Sequence, residues 1–165
     1  MRTLIVYYSL EGNTEWAAGQ IAGALGADTL RVEPVKAYPD SGFRKFFWGG
    51  KSAVMGETPD LLPYHFEGAA YGRIVFAFPV WAGNVTPPIR SFIRENDLRG
   101  KRFAAVACQS GAGAEKALGR LRGALGVEAL EAELILIDPK ARPSAENERK
   151  IKAFCDQLKA EERNA

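Results

Sequence analysis

The sequence predicts a doubly wound α/β domain on a five-stranded parallel sheet, and three observations predict it. Five short apolar runs alternate with helical patterns, and parallel neighbours need such crossover connections. The run Arg73 to Phe78 is apolar at almost every position, as a strand covered on both faces requires. A chain of 165 residues is long enough to bury roughly two thirds of its unfolded surface in one core. Residues 1–165 therefore read as a single domain.

Thr3 to Tyr8 is a β-rich apolar run ending at Ser9, and Thr14 opens a helical pattern that runs to about Leu25-Gly26. Thr29 to Val32 reads as the second strand. The stretch from about Glu33 to Gly72 breaks the regular spacing with Pro34, Pro39, Pro59 and Pro63. One helix is expected there, Ser41 to about Met55, carrying the aromatic cluster Phe43, Phe46, Phe47 and Trp48. Arg73 to Phe78 is the third strand. Pro87 and Pro88 sit where a first helical turn tolerates proline, ahead of Ile89 to Ile93. Lys101 to Cys108 follows as the fourth strand. Gly113 to Leu125 has amphipathic helical spacing, Glu133 to Asp138 is the fifth strand, and Ser144 caps a last helix to about Ala160.

Composition excludes several classes. The 47% apolar, 25% charged balance is that of a globular protein, neither disordered nor fibrous. The longest apolar stretch, Ile74 to Ala82, is too short to span a membrane. With no export signal at Met1-Arg2-Thr3-Leu4, a cytoplasmic location is expected. The net charge of +2 comes from scattered cations, so no nucleic-acid partner is indicated. Two cysteines, Cys108 and Cys155, lie too far apart in sequence for a metal-ligand motif.

Three loops at strand ends carry the functional signal, because ligands of an open parallel sheet bind beyond the carboxyl ends of its strands. In Ser9-Leu10-Glu11-Gly12-Asn13-Thr14, hydroxyl and amide groups with a flexible glycine precede a helix start. That suits either a phosphate cradle or an ordinary capped turn. In Pro79-Val80-Trp81-Ala82-Gly83-Asn84, the aromatic either stacks on a planar ligand or packs over the sheet edge. The third loop, Cys108-Gln109-Ser110-Gly111-Ala112-Gly113, offers small residues and backbone donors. In a sheet ordered 2-1-3-4-5 these loops adjoin one another at the switch point.

On Tyr7 to Thr14, Pro79 to Gly83 with Pro87-Pro88, and the small-residue loop from Cys108 to Gly113, the sequence resembles the flavodoxin family over almost its whole length. The resemblance implies a flavodoxin-like three-layer sandwich with FMN as cofactor. It implies that Ser9, Gly12, Asn13 and Thr14 hold the FMN phosphate and that Trp81 stacks on the isoalloxazine. Cys108 to Gly113 would line the pyrimidine end, and Gly83 or its neighbour would offer a peptide to flavin N5. The implied role is carrying electrons between redox partner proteins. The alternative is an FMN-dependent NAD(P)H or quinone oxidoreductase acting on a small reducible substrate. No catalytic acid or base is expected, since the flavin supplies the chemistry.

Two departures from the family pattern stand out. Glu11 occupies a position usually held by a hydroxyl residue, and a carboxylate turned inward would repel a phosphate. Its side chain is therefore expected to face solvent. The third loop has no aromatic to cover the outer ring face; Trp48 is a candidate cover, though core packing is the simpler reading. Cys108 reads as a small buried strand-end residue, and His65 has no nucleophile motif to serve. Gly50-Lys51-Ser52 lacks the earlier glycine of a P-loop, and Ser110-Gly111 lacks that of a nucleophile elbow. Cations at Arg44, Lys45, Lys51 and Arg90, if near the ring, would attract acidic proteins or anionic small molecules.

Overall fold

The computed structural model describes residues 1–38 and 56–164. The expected helix from Ser41 to Met55, with Phe43, Phe46, Phe47, Trp48, Arg44, Lys45 and Lys51, lies outside the described residues. Along the rest, β1 (Thr3–Tyr7), α1 (Asn13–Leu25), β2 (Asp28–Arg31), β3 (Arg73–Pro79) and α2 (Pro87–Glu95) come first. Then follow β4 (Arg102–Gln109), α3 (Ala114–Leu125), β5 (Glu133–Ile137) and α4 (Ala145–Arg163). A short 3₁₀ turn, Gly68–Ala70, precedes β3.

All neighbouring strands pair in parallel, in the order β2-β1-β3-β4-β5. The order and the five strands are those the sequence predicts. Register follows from side-chain alternation: Val6 pairs with Phe76, and Phe76 with Ala105, so one row of side chains shares a face. On that face Val6, Phe76 and Ala105 pack with Ile89 and Phe92 of α2 and Leu118 and Leu121 of α3. On the other, Ile5, Val75 and Val106 pack with Ala17 and Ile21 of α1 and Phe154 and Leu158 of α4. The intervening period of two is what lets every central strand serve both layers.

Most element boundaries differ from expectation by a residue, as helix ends and short strands commonly do, and α4 runs three residues past the expected Ala160 to Arg163. β2 begins at Asp28 and stops at Arg31, but Val32 still donates to the Tyr7 carbonyl at 2.9 Å. In the irregular stretch, Pro34 bridges Leu61 in antiparallel fashion where only loop was expected. Ser144 does cap α4: its hydroxyl accepts from the Asn147 N–H at 3.1 Å.

The amino ends of the central strands are closed by charge. Arg73, 1% exposed, donates from Nε to Glu131 Oε2 at 2.5 Å and from Nη2 to the Leu158 carbonyl at 3.1 Å. Arg102 pairs with the other oxygen of the same carboxylate. Sharing one carboxylate between two guanidinium groups satisfies a charge that would otherwise be costly to bury. That network leaves the carboxyl ends of β1, β3 and β4 as the open side of the sheet. Neighbouring strands sit about 4.8 Å apart, so the loops leaving those ends are forced together.

Candidate functional site

The first loop leaves β1 and folds back on itself: Ser9 Oγ accepts from the Gly12 N–H at 3.2 Å. Gly12 caps α1 at φ +96, a left-handed conformation that side chains resist. Thr14, 1% exposed, stands in the first turn of α1. Its Oγ1 is buried with no nitrogen or oxygen partner among the described residues. Beside it lies the Cys108 thiol, whose pKa burial pushes up to about 12 against the smaller opposing pull of the Thr14 hydroxyl. Asn13 faces another way, its Oδ1 accepting from the backbone N–H groups of Lys140 and Ala141 at 2.9 and 3.0 Å. That pair of bonds fastens the loop after β5 to the loop after β1. It also brings Lys140 over the turn, with Nζ 3.0 Å from the point where a Cβ on Gly12 would stand.

The second loop contains a tight two-residue turn. Trp81 and Asn84 exchange backbone hydrogen bonds of 3.3 and 2.9 Å across it. Ala82 and Gly83 both have positive φ, +48 and +70, as a type I′ turn demands. Trp81 is 8% exposed and stands edge-on to Tyr8 and Tyr38, ring centres 5.7 and 5.4 Å away. Such edge-to-face contacts set the ring plane more firmly than area burial alone. Burial of the Tyr38 hydroxyl pushes its pKa up to about 12, with the Glu57 charge adding to the shift.

The third loop is capped from within. Gln109 Oε1 accepts from the Ala114 N–H at 3.0 Å, the first residue of α3. Gly113, at φ +103, lies so close to the second loop that a Cβ would come within 3.1 Å of Gly83 N and Cα. Ser110 Oγ donates to Asp138 Oδ1 at 2.6 Å, and Arg142 Nε donates to Asp138 Oδ2 at 2.9 Å.

The three loops enclose one cavity of about 870 Å³. All the residues singled out in the sequence line it except Gly12, Asn84 and Gln109. Those three are adjacent by backbone or act through neighbours: Gln109 caps α3 and Asn84 Nδ2 holds the Ala82 carbonyl at 3.2 Å. Glu11 is exposed at the mouth, as expected of a carboxylate there. Ala112, Lys116 and Asp138 also line the cavity, and Tyr38 and Lys140 stand just behind it. Ala112 belongs to the third loop read from the sequence, whereas sequence reasoning missed Lys116, Asp138, Tyr38 and Lys140. Lys116 sits in the first turn of a helix whose cations look like a solvated face, while Asp138 and Lys140 follow the fifth strand, outside the three loops that carry a sequence signal. Trp48 lies outside the described residues, and Arg90, half-buried on α2, is not among the cavity residues.

The chain overlays a flavoprotein from Lactobacillus acidophilus solved in complex with FMN, with TM-score 0.69, 19% identity, and 85% of this chain and 95% of that one covered. It also overlays a protein from Bacteroides uniformis, provisionally assigned as a flavoprotein, with TM-score 0.77, 22% identity and coverage of 92% and 96%. A counterpart from Bacteroides eggerthii, provisionally assigned in the same way, gives TM-score 0.76, 21% identity and coverage of 94% and 96%. No curated protein matches the sequence. The flavodoxin family model matches residues 2–136, which takes in β1 to β4, all but the last residue of β5, and all three loops. With the 2-1-3-4-5 sheet and its loop-built cavity, that match makes this chain a member of the flavodoxin family.

Proposed function

We propose that the protein binds FMN in the cavity and carries electrons between redox partners. The observation that carries this reading is the Thr14 hydroxyl, buried at the amino end of α1 with no nitrogen or oxygen to bond among the described residues. The Cys108 thiol beside it is a weak hydrogen-bonding partner, and a phosphate oxygen above the helix start would give the hydroxyl a charged acceptor. The chain fits that group in two further ways. The first N–H groups of α1 have no partner within the helix and favour an anion. Lys140 adds a cation over Gly12, and the binding of FMN to the L. acidophilus relative supports the same choice of ligand.

Bound FMN supplies the redox chemistry; the chain binds, orients and shields it. In this reading Ser9, Gly12 and Thr14 receive the phosphate, while Asn13 holds the neighbouring loop in place. Trp81, already fixed edge-on by Tyr8 and Tyr38, offers a ring face at the cavity wall. Cys108 to Gly113 forms the opposite wall, where the protonated thiol is inert rather than nucleophilic. A second reading, a flavin-dependent NAD(P)H or quinone oxidoreductase, is favoured by one feature of that wall. Ser110, Gly111 and Ala112 are small and exposed, and Lys116 beside them suits an anionic small substrate.

Titrating the apoprotein with FMN tests the first claim: tight binding with quenched flavin fluorescence is expected, weakened by Trp81→Ala. Absence of binding would remove both readings. Anaerobic mixing of the loaded protein with NADH or NADPH then separates them. Slow or absent bleaching supports the carrier, and rapid bleaching supports the oxidoreductase.

A further inference from the structure

Arg31, the last residue of β2, fastens the turn after β1 from outside the cavity. Its Nη2 donates to the Ser9 carbonyl at 3.0 Å, its Nη1 meets Glu15 Oε1 at 3.0 Å in the first turn of α1, and its Nε donates to Glu33. The guanidinium carbon stands 5.9 Å from the centre of the Tyr7 ring. Glu33 is itself anchored, because its carbonyl accepts from the Leu62 N–H at 2.8 Å beside the bridge between Pro34 and Leu61. Ser9 lines the cavity, whereas Arg31 and Glu15 are not among the cavity residues, so the Ser9 carbonyl is drawn off the cavity toward β2. The hydroxyl of the same residue is left to accept from the Gly12 N–H. Two oxygens that would compete with an anion for the start of α1 are thereby held aside, a backbone carbonyl and the Glu15 carboxylate.

We propose that Arg31 is a positioning residue for the anion end of the cavity: by holding both oxygens aside it lets the turn select a phosphorylated flavin over the same flavin without its phosphate. The inference rests on the FMN reading and deepens it. An anion at a helix start is bound by N–H groups and repelled by carbonyls and carboxylates. The Thr14 hydroxyl lines the cavity at that same helix start, 1% exposed and without a nitrogen or oxygen partner among the described residues. Without the guanidinium, the Ser9 peptide is free to turn its carbonyl inward, and Glu15 and Glu33 lose the cation that offsets them. A planar fork reaching three acceptors at once suits this task, because one bond fixes the peptide while the other two fix the fork. A lysine would bring the charge without the fork. The bonds of Arg31 run to the first loop, its helix and Glu33, not to Trp81 or the third loop, which face the ring in the FMN reading. Loss of Arg31 should therefore be felt at the phosphate and not at the ring.

The Arg31 side chain is 36% exposed, so Arg31→Met and Arg31→Lys should both leave the fold intact. The flavin-free wild type and both variants are titrated with FMN and with riboflavin, which carries the same ring and no phosphate. In Arg31→Met the FMN affinity should fall about tenfold or more, the effect of losing one hydrogen bond to a charged donor, while riboflavin affinity holds. Arg31→Lys should lose FMN affinity as well, because the charge stays but the fork is gone. An unchanged ratio of the two affinities in Arg31→Met overturns the proposal, and so do equal losses for both flavins, the mark of a merely damaged fold. A wild-type ratio in Arg31→Lys would show that charge alone suffices and overturns the positioning role. Amide exchange at Gly12 in the flavin-free protein gives a measure independent of the cofactor. It should quicken about tenfold in Arg31→Met, and no change overturns the latch. If the wild type binds neither flavin the cofactor reading fails, while the exchange at Gly12 still judges Arg31.

Discussion

Thr14 carries a hydroxyl into a place where the described protein offers it no oxygen or nitrogen, and that sets it apart from the hydrogen-bonded side chains of the three loops. Ser9, Asn13, Asn84, Gln109 and Ser110 are all engaged with backbone or carboxylate. They build the walls. Replacing Thr14 by Val keeps the shape and removes the orphan. The apoprotein should then be as stable as wild type or more stable by about 1 kcal/mol in urea unfolding, because an unsatisfied buried group is gone. FMN affinity should fall tenfold or more, since hydrogen bonds to charged groups contribute about 1.5–3 kcal/mol. Loss of stability with unchanged affinity would show that the hydroxyl serves the fold instead.

At the scale of elements, the loops were legible but their interlocking was not. Gly12, Gly83 and Gly113 stand out in the sequence as turn formers. Only the fold shows that Gly113 and Gly83 touch, backbone against backbone, because β3 and β4 are neighbours whose ends lie in register from Pro79 to Cys108. Gly113→Ala meets both a left-handed φ of +103 and a 3.1 Å contact with Gly83. It should destabilise the protein by about 1–3 kcal/mol, the usual range for such backbone strain, and displace the turn enough to weaken FMN binding. A variant with wild-type urea midpoint and affinity would refute the close packing. Trp81 shows the same limit of one-dimensional reading: its place at a strand end is visible in sequence. The tyrosines that fix its ring come from the end of β1 and from the stretch after β2.

For the whole molecule, burial of weak acids sets how stability responds to alkali. Burial raises the Cys108 thiol from an ordinary 9.0 to about 12. Tyr38 and Tyr64 rise from 10.0 to about 12, by burial first and then by the charge of Glu57 for Tyr38 and the hydrogen bond to Glu95 for Tyr64. The folded protein therefore holds protons that the unfolded chain releases. Stability should be intact below about pH 9 and fall as pH rises from there toward 12. Cys108 alone contributes a slope of about 1.4 kcal/mol per pH unit in that window. Urea midpoints for wild type and Cys108→Ala at about pH 8 and about pH 10.5 check this: the variant should lose less stability between them. Equal losses would place the thiol nearer water than the structure does. The net charge of +2 also acquires a location, because Lys116, Arg120 and Lys140 gather on the cavity side while Arg73 and Arg102 are paired with Glu131 and Glu161 at the far end.

By itself the sequence determined the alternation of strands and helices, the doubly wound class and the three loops where a ligand would sit. These depend on hydrophobic period and on turn-forming residues close together in the chain, and both are local properties. Only the tertiary structure decided which side chains converge on the cavity from a distance. Lys140 reaches Gly12 across 128 positions and Arg120 reaches Gly83 across 37, separations over which residue type carries no signal. Parallel pairing with crossovers brings such distant segments within a few ångströms, so the cations around the site belong to the fold rather than to any motif.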